Sequence, residues 1–227
     1  MIKWVFLDLD DTVFDFGRCE RAAITETLEA LDLVPSDELV ALYSEVNLSM
    51  WRALERGEIT KDELRSRRFS EFFDRLGIVR DSTFAKVTYE GKLSEKCFLI
   101  DGAEELLKEL SEKYELYAAS NGIASIQDGR IAKSGIARYF KKIFISERIG
   151  HNKPSREFFE AVFSDIPGFE KSGAIIIGDS LTSDIKGGIN AGIKTCLFCK
   201  NIPTGVSVNP DFYVHSLRDI PNLLVNI

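Results

Sequence analysis

The sequence lacks any apolar run of about 18 residues, the length that indicates a membrane-spanning helix. Its first eight residues already contain a lysine and an aspartate, whereas a secretory signal peptide has an uninterrupted apolar stretch near its start. Apolar residues make up 44% and charged residues 29% of the 227 residues, which is ordinary for a globular protein in solution. We therefore expect a cytoplasmic protein without a membrane partner.

Cysteine is scarce and irregularly spaced. The four cysteines lie at positions 19, 97, 196 and 199, and this pattern in a chain of ordinary size does not indicate a disulfide framework. Cys196 and Cys199 form a C-x-x-C pair, but they lie in or just after an apolar run rather than at the start of a helix, where a redox pair belongs. We expect buried or half-buried free thiols.

The chain also has no excess of positive charge. Its 36 acidic and 29 basic residues give a formal net charge of −7. Binding to a nucleic acid polymer or to an anionic membrane requires a basic face, so the charge argues against both partners. A small anionic substrate is compatible with this charge if the site supplies its own cation.

Two patterns of apolar residues divide the chain. Residues 3–8 form a short apolar run that ends in an acidic cluster, which is typical of a buried strand followed by a loop. From about Gly17 to Glu95, apolar residues recur at helical spacing and predict about four helices. Beyond Gly102 strand and helix patterns alternate. The predicted strands cover residues 115–120, 143–146, 174–178, 194–198 and 211–214. The predicted helices cover residues 103–113, 125–138 and 183–191, with a further helix opened by Pro154.

This alternation predicts an α/β protein with a parallel sheet and helices on both faces. The helical block interrupts the α/β unit after its first strand, so residues 1–16 and 96–227 are predicted to form the core and residues 17–95 a helical domain. A chain of 227 residues is long enough for both units. Because ligands of open parallel sheets bind beyond the carboxyl ends of the strands, we expect functional residues at that edge.

Carboxylates cluster at two of these strand ends. Asp8, Asp10 and Asp11 follow the first strand, and Asp179 and Asp184 follow the most apolar strand. Crowded carboxylates repel one another and suit a bound cation that prefers oxygen ligands. Aspartates are also common in turns and helix caps, so either segment alone would fit a structural turn.

Two further segments suit a bound anion. Ser120, Asn121 and Gly122 close the second strand and offer a hydroxyl, an amide and a backbone that a ligand can approach closely, although such residues are also common in turns. Lys153 precedes Pro154 at the predicted helix start, where the helix dipole disfavours a cation unless an anion lies nearby. A solvated lysine would fit that position equally well.

Together, the order and placement of the four segments resemble the haloacid dehalogenase-like (HAD) hydrolase superfamily over nearly the whole chain. The residues that match its D-x-D-x-T signature and its later motifs are Asp8, Asp10, Thr12, Ser120, Lys153, Asp179 and Asp184. The resemblance implies a Rossmann-like core with an inserted α-helical cap domain that closes over the site and contacts the leaving group. It also implies a small phosphorylated metabolite as the substrate.

The resemblance assigns a role to each aspartate. Asp8 would be the nucleophile that forms an aspartyl-phosphate, and Asp10 would protonate the leaving alcohol and then activate water. Asp8 would therefore be ionised and Asp10 protonated at the start. Mg²⁺, with Mn²⁺ as an alternative, would be held by Asp8, the main-chain carbonyl of Asp10 and Asp179, with Asp184 supporting this shell from outside.

The remaining motif residues are implied to bind the phosphoryl group. Ser120, the backbone of Asn121 and Lys153 would hold its oxygens and neutralise developing charge, and Thr12 and Gly122 would add phosphate or substrate contacts.

One position separates two branches of the superfamily. Haloacid dehalogenases use an aspartate nucleophile but lack the aspartate two residues later, which here is Asp10. An acid helps an alkoxide to leave and is unnecessary for a halide. The sequence therefore favours a phosphatase over a dehalogenase.

Segments of the helical block and of the core resemble the nucleotidase branch, whose members act on pyrimidine and modified nucleoside 5′-monophosphates. The segments that carry this resemblance are residues 47–51, 57–60, 68–70, 145–150 and 187–192. Asn47, Trp51 and Arg68 are candidate contacts to a base, although a tryptophan at helical spacing is usually core and an arginine is usually solvated. His151 departs from the small or apolar residue usual before the motif lysine, and we expect it in a surface loop.

Two other functions stay open. A phosphatase for small sugar phosphates or phosphoglycolate would have a tight, basic pocket in place of an aromatic one. A catalytically silent protein that binds a phosphorylated ligand would be free to lose motif residues, yet Asp8, Asp10, Lys153 and Asp179 are all present.

Overall fold

The computed structural model describes residues 1–203, 205 and 207–227, and its core is a six-stranded parallel sheet. The strands are β1 (Trp4–Leu7), β2 (Glu115–Ser120), β3 (Lys142–Ile145), β4 (Ala174–Gly178), β5 (Lys194–Phe198) and β6 (Phe212–Val214). They lie in the order β3-β2-β1-β4-β5-β6, with every neighbouring pair parallel. Strands β1 and β4 occupy the centre and are buried along their whole length, because helices cover both faces of the sheet.

Ten helices accompany the sheet in the described part of the chain. They are α1 (Phe16–Ala30), α2 (Asp37–Glu55), α3 (Lys61–Leu76), α4 (Ser82–Ser94), α5 (Ala103–Lys113), α6 (Ala124–Ser134), α7 (Ser146–Ile149), α8 (Arg156–Ser164), α9 (Lys186–Ala191) and α10 (Ile220–Val225). Four shorter turns are 3₁₀ or π-helical and cover residues Ile136–Tyr139, Lys171–Gly173, Leu181–Ile185 and Leu217–Asp219. None of the described helices has the length and apolar character needed to cross a membrane.

The predicted fold class is confirmed, with local corrections. The predicted helix over 125–138 ends at Ser134, because Gly135 adopts a left-handed conformation with φ of 71°. Pro154 does not open α8: the Ser155 hydroxyl accepts a hydrogen bond from the Phe158 N–H at 3.2 Å, so α8 begins at Arg156. Lys153 therefore lies before the helix rather than at its N-terminus, and the helix dipole does not explain its environment.

Helices α1–α4 form a four-helix unit with its own core. Tyr43, Phe69 and Tyr89 are fully buried, with ring centroids 5.0–5.7 Å apart. The ends of these helices follow local signals in the sequence. Thr60 and Glu63 form a reciprocal capping box at the start of α3, which satisfies backbone N–H groups that have no partner within the helix.

The four-helix unit touches the core at the carboxyl edge of the sheet. The Lys61 Nζ donates to the backbone carbonyl of Asn121 at 2.9 Å and to the Ser146 hydroxyl at 2.8 Å. The Thr182 hydroxyl donates to a carboxylate oxygen of Glu55 at 3.0 Å. These contacts place the unit above the carboxyl ends of the strands. Because all six strands are parallel, the loops that follow them lie at this edge.

The packing of α9 on the sheet leaves no room for a side chain at Gly188. A Cβ there would lie 2.6 Å from side-chain carbons of both Ile176 and Thr195. We expect Gly188→Ala to lower the free energy of unfolding by about 1–3 kcal/mol, because overpacking forces the sheet and helix apart. Urea denaturation measures this change.

Gly91→Ala is the matched control. Gly91 lies in α4, and a Cβ there meets no atom within 4 Å. Since alanine is a better helix former than glycine, we expect the free energy of unfolding to rise by about 0.5–1 kcal/mol. Equal effects of the two substitutions would contradict the close approach of α9 to the sheet.

The partly buried amine of Lys61 makes stability depend on pH. Burial lowers the pKa of Lys61 to about 8, whereas a lysine in an unfolded chain has a pKa of about 10.4. Between these values the unfolded chain binds more protons, so this residue's contribution to the free energy of unfolding rises with pH. Below pH 8 the lysine is charged in both states and that gain is absent.

Lys61→Met removes this dependence. We expect the free energy of unfolding of the wild type, relative to that of the variant, to rise from about pH 8 to about pH 10 in urea titrations. Lys108→Met, at an exposed position of α5, is the control series. A wild-type advantage that stays flat or falls across this range would count against the burial of the amine.

Candidate active site

The loop after β1 places two aspartates at the sheet edge. The Asp8 side chain is buried at the end of the strand, whereas that of Asp10 is partly exposed. The chain then turns back, since the N–H groups of Val13 and Phe14 both donate to the carbonyl of Leu9, at 2.9 and 2.7 Å. Asp10 thus projects from a tight turn.

Lys153 lies between two carboxylates. Its Nζ is 2.5 Å from the Oδ1 of Asp8 and 2.6 Å from the Oδ1 of Asp184, and all three side chains are largely buried. Burial alone would lower the pKa of Lys153, but the charges of Asp184 and Asp8 raise it above its usual value. The lysine is therefore a fixed positive charge.

Asp8, Asp179 and Asp184 each place a carboxylate oxygen within 4.8 Å of the others. Gly178 permits this approach, since a Cβ at that position would lie 2.2 Å from the Oδ2 of Asp184. Asp184 already uses both oxygens, accepting from Lys153 and from the Ser180 N–H at 3.1 Å. Within residues 1–203, 205 and 207–227, neither the Oδ2 of Asp8 nor the carboxylate of Asp179 accepts a hydrogen bond.

The protonation of these carboxyl groups reflects their crowding. Burial raises the pKa of Asp8; the charges of Asp184 and Asp10 raise it further, and Lys153 opposes them. The surrounding protein and the charges of Asp184 and Asp8 also raise the pKa of Asp179, although its side chain is open to the solvent of the cavity. A divalent cation offsets both effects, and oxygen ligands at this spacing suit Mg²⁺.

The loop after β2 is tied to the Lys153 loop. The Asn121 side chain donates to the carbonyl of Lys153 and accepts from its N–H, both at 2.9 Å. The Ser120 hydroxyl accepts from the Gly122 N–H at 3.0 Å and from the Gln127 Nε2 at 2.8 Å. Ser120 and Lys153 are thus fixed relative to each other at the carboxyl ends of β2 and β3.

Two residues of α6, Gln127 and Arg130, hold the Asp10 side chain. The Gln127 Nε2 donates to one carboxylate oxygen at 2.8 Å, and the Arg130 Nη1 donates to the other. Neither residue was predicted from the sequence. Their signal is a pair of polar side chains three apart on a helix directly after Ser120-Asn121-Gly122.

A cavity of about 400 Å³ lies between this edge and the four-helix unit. The residues that line it are Asp8, Asp10, Asp11, Phe16, Gly17, Glu20, Ser44, Asn47, Leu48, Trp51, Glu55, Ser120, Asn121, Gly122, Lys153, Asp179, Ser180, Ser183 and Asp184. The core contributes the charged residues of the floor, and α1 and α2 contribute the opposite wall. The volume is in the range of small-molecule sites, about 300–1,000 Å³.

The wall carries a buried polar network. Glu20 accepts from the Ser44 hydroxyl and from the Asn47 Nδ2, each at 2.6 Å, and the Arg68 Nη1 donates to the Asn47 Oδ1 at 2.9 Å. Burial raises the pKa of Glu20. Glu20 was not predicted from the sequence, because its helical position does not indicate that it faces a cavity rather than solvent.

The structure brings together most of the predicted site residues. Those that line the cavity are Asp8, Asp10, Asn47, Trp51, Ser120, Asn121, Gly122, Lys153, Asp179 and Asp184. Thr12 does not join them, because its side chain is fully buried in the turn after β1. Arg68 is also buried and does not line the cavity; its Nη1 bonds the Asn47 side chain, which does.

The remaining predictions concern His151 and the cysteines. His151 is exposed, in agreement with the predicted surface loop, and it lines a second cleft together with Trp51. Cys196 is buried and Cys199 partly buried, and both are free thiols, which confirms the prediction.

Comparisons with known proteins agree with this geometry. The model of the family described as haloacid dehalogenase-like hydrolase matches residues 5–198. The chain is 38% identical over 224 residues to pyrimidine 5′-nucleotidase PynA of Streptococcus pneumoniae, covering 98% of this chain and 94% of that protein. It is 28% identical over 224 residues to pyrimidine 5′-nucleotidase YjjG of Escherichia coli, covering 97% of each.

A solved structure shows the same architecture. The magnesium-bound putative HAD-hydrolase YfnB of Bacillus subtilis, 36% identical in sequence, aligns with a TM-score of 0.93 over 100% of this chain and 99% of that one. The sheet order, the strand-end carboxylates and these matches lead to one conclusion: the chain belongs to the haloacid dehalogenase-like hydrolase family.

Proposed function

We propose that this protein is a Mg²⁺-dependent phosphatase that hydrolyses pyrimidine or modified nucleoside 5′-monophosphates through an aspartyl-phosphate on Asp8. The observation that carries the proposal is the floor of the cavity. There Lys153 lies between Asp8 and Asp184, beside Asp179 and Ser120, opposite a wall that contains a tryptophan. Two relatives named as pyrimidine 5′-nucleotidases support the choice of substrate.

The first step forms a bond between a carboxylate oxygen of Asp8 and phosphorus. The bond from phosphorus to the nucleoside oxygen breaks, and Asp10 gives a proton to that oxygen as it leaves. Lys153 and Ser120 neutralise the charge that develops on the phosphoryl oxygens. Asp8 is suited to attack because Lys153 fixes its other oxygen, which limits the rotation of the carboxylate.

The second step returns the enzyme to its starting state. Asp10, now a carboxylate, takes a proton from water as the water attacks phosphorus, and the bond between phosphorus and Asp8 breaks to release phosphate. One carboxyl group thus serves as acid and then as base, so it must reach both the leaving oxygen and the entering water. The Asp10 side chain lies at the cavity floor and is partly exposed, which is compatible with both tasks.

Asp8 and Asp179 are the residues that would hold Mg²⁺. Asp179 offers a carboxylate that no described residue uses, and Asp8 would share its Oδ1 between Lys153 and the ion while its Oδ2 attacks phosphorus; both oxygens of Asp184 are already occupied by hydrogen bonds. This division supports direct ligands in Asp8 and Asp179 and an outer position for Asp184. When bound, Mg²⁺ offsets the repulsion among the carboxylates and draws charge from the phosphoryl group.

The wall of the cavity favours a nucleoside over a small sugar. Phe16, Leu48 and Trp51 give it an apolar, aromatic surface on which a base can stack, and Asn47 and Glu20 line it with side chains that already bond each other. Among the described residues that line the cavity, Lys153 is the basic one. A tight basic pocket, which a sugar phosphate or phosphoglycolate would require, is not what the described residues form.

Asp8→Asn tests the chemistry. We expect phosphate release to fall at least about a thousandfold, because an amide does not attack phosphorus. The fold is expected to persist, since Asp184 still neutralises Lys153. Phosphate release with Mg²⁺, with EDTA as the control, and a thermal melt measure the two properties. Turnover that survives the substitution would exclude Asp8 as the nucleophile.

A substrate panel tests the specificity. We expect Mg²⁺-dependent phosphate release chiefly from pyrimidine nucleoside 5′-monophosphates, and less from purine nucleotides, sugar phosphates and phosphoglycolate. Trp51→Leu is expected to raise KM about tenfold for the nucleotides, because stacking on a base contributes about 1–3 kcal/mol. KM for glycerol phosphate, which has no base, should change little.

Phe84→Leu provides the matched control for Trp51. Phe84 lies on α4 of the four-helix unit with its ring about half exposed. Its loss should leave KM for every substrate unchanged. Preferential release from sugar phosphates, or an equal rise in KM for glycerol phosphate and nucleotides in Trp51→Leu, would show that the wall does not contact a base.

A further inference from the structure

We infer that Gln127 and Arg130 are positioning residues that hold the Asp10 carboxyl group against the leaving oxygen and in register with Ser120. The inference rests on the proposed function, since it concerns proton transfer by Asp10. It assigns a role to α6, which carries none of the motif residues, and it explains why two polar side chains are buried on that helix.

The contacts are directed at the reacting group. The Gln127 Nε2 lies 2.8 Å from the Oδ2 of Asp10 and 2.8 Å from the Oγ of Ser120, so one amide joins the two residues. The Arg130 Nη1 bonds the Oδ1 of Asp10 and lies 3.0 Å from the Oε1 of Gln127. Both oxygens of Asp10 are therefore held from the α6 side, and the cavity side is left open.

Arg130 is itself fixed on three sides. Its guanidinium lies 4.3 Å from the ring centroid of Phe14, and its Nε donates to the carbonyl of Lys96 at 3.0 Å. Phe14 belongs to the turn that carries Asp10 and bonds Asp11 and Leu9 through its backbone. The arginine thus holds both the carboxylate and the turn, and its side chain is only 1% exposed.

The absence of a side chain at Gly122 makes room for the Gln127 amide. A Cβ at position 122 would lie 2.6 Å from the Gln127 Nε2, so the glycine after Asn121 leaves room for the amide to reach Ser120. The residues that bind phosphoryl oxygens and the residue that transfers the proton are therefore connected through one side chain. A loss of that connection changes the position of the acid relative to phosphorus without removing either group.

Three variants separate positioning from packing. Gln127→Leu keeps the volume and removes the donors, Arg130→Met keeps the contact with Phe14 and removes the charge, and Arg130→Lys restores a charge without the planar fork. Each is compared using uridine 5′-monophosphate and p-nitrophenyl phosphate in rapid-quench assays with Mg²⁺. The nitrophenolate leaves without a proton, so its release reports phosphorylation of Asp8 alone, whereas nucleoside release also requires the acid.

We expect Gln127→Leu and Arg130→Met to slow nucleoside release about 10- to 100-fold, at or below the lower end of the range for general acid–base catalysis, because the acid is displaced rather than lost. With p-nitrophenyl phosphate they should give a fast burst of one nitrophenolate per enzyme, followed by slow turnover, because the water step still needs Asp10 as a base. KM should change little, and Arg130→Lys should recover part of the rate. If Arg130→Met does not fold in a thermal melt, Gln127→Leu and Arg130→Lys decide.

A double-variant cycle completes the test. In an Asp10→Asn background, Gln127→Leu should cost less than about threefold in nucleoside release, because the group that it positions is already lost. An undiminished cost in that background overturns the inference, and so does equal slowing of the nitrophenolate burst and nucleoside release. The wild type is measured before any variant. If it releases no product from either substrate in a metal-dependent way, the proposed function is overturned, whatever the variants would show.

Discussion

The buried lysine between two carboxylates is the interaction on which the site depends. Lys153 comes from the loop after β3, Asp8 from the end of β1 and Asp184 from the turn after β4, so one amine joins three strand ends. Removing the lysine would leave two buried carboxylates without compensation, which is strongly destabilising, whereas the loss of one carboxylate leaves the amine neutralised by the other. The arrangement therefore depends on the Lys153 loop being in place, and the same condition aligns the groups that act on a phosphate.

Much of this could be predicted from the sequence. Asp8 and Asp179 follow strands whose apolar runs are continuous, and parallel strands bring their carboxyl ends to one edge, so local patterns and one rule of sheet geometry were sufficient. Helix starts were less predictable. Pro154 suggested a helix start at the proline, yet the Ser155 hydroxyl caps α8 instead. The hydroxyl accepts a hydrogen bond from a backbone N–H of the first turn, and a proline side chain has no acceptor for that group.

The residues that were missed share a physical reason. Gln127 and Arg130 lie on a helix whose periodicity indicates a face but not what that face meets, and their partner Asp10 is more than a hundred residues away in the chain. The role of Glu20 could not be predicted for the same reason, since its partner Asn47 lies on a different helix. Thr12 matches the motif, but its side chain is fully buried and does not line the cavity.

The bond from Lys61 to the backbone carbonyl of Asn121 has a consequence for how the two halves of the protein communicate. That peptide lies in the turn that holds Ser120 and contacts the Lys153 loop through the Asn121 side chain. If an anion bound there and ordered the turn, it would also order the acceptor for Lys61, and the contact from Lys61 would order the turn for the anion. By thermodynamic linkage, each event strengthens the other by the same factor. On the proposed function, a phosphoryl group bound at the floor would therefore strengthen the contact that holds the four-helix unit above it.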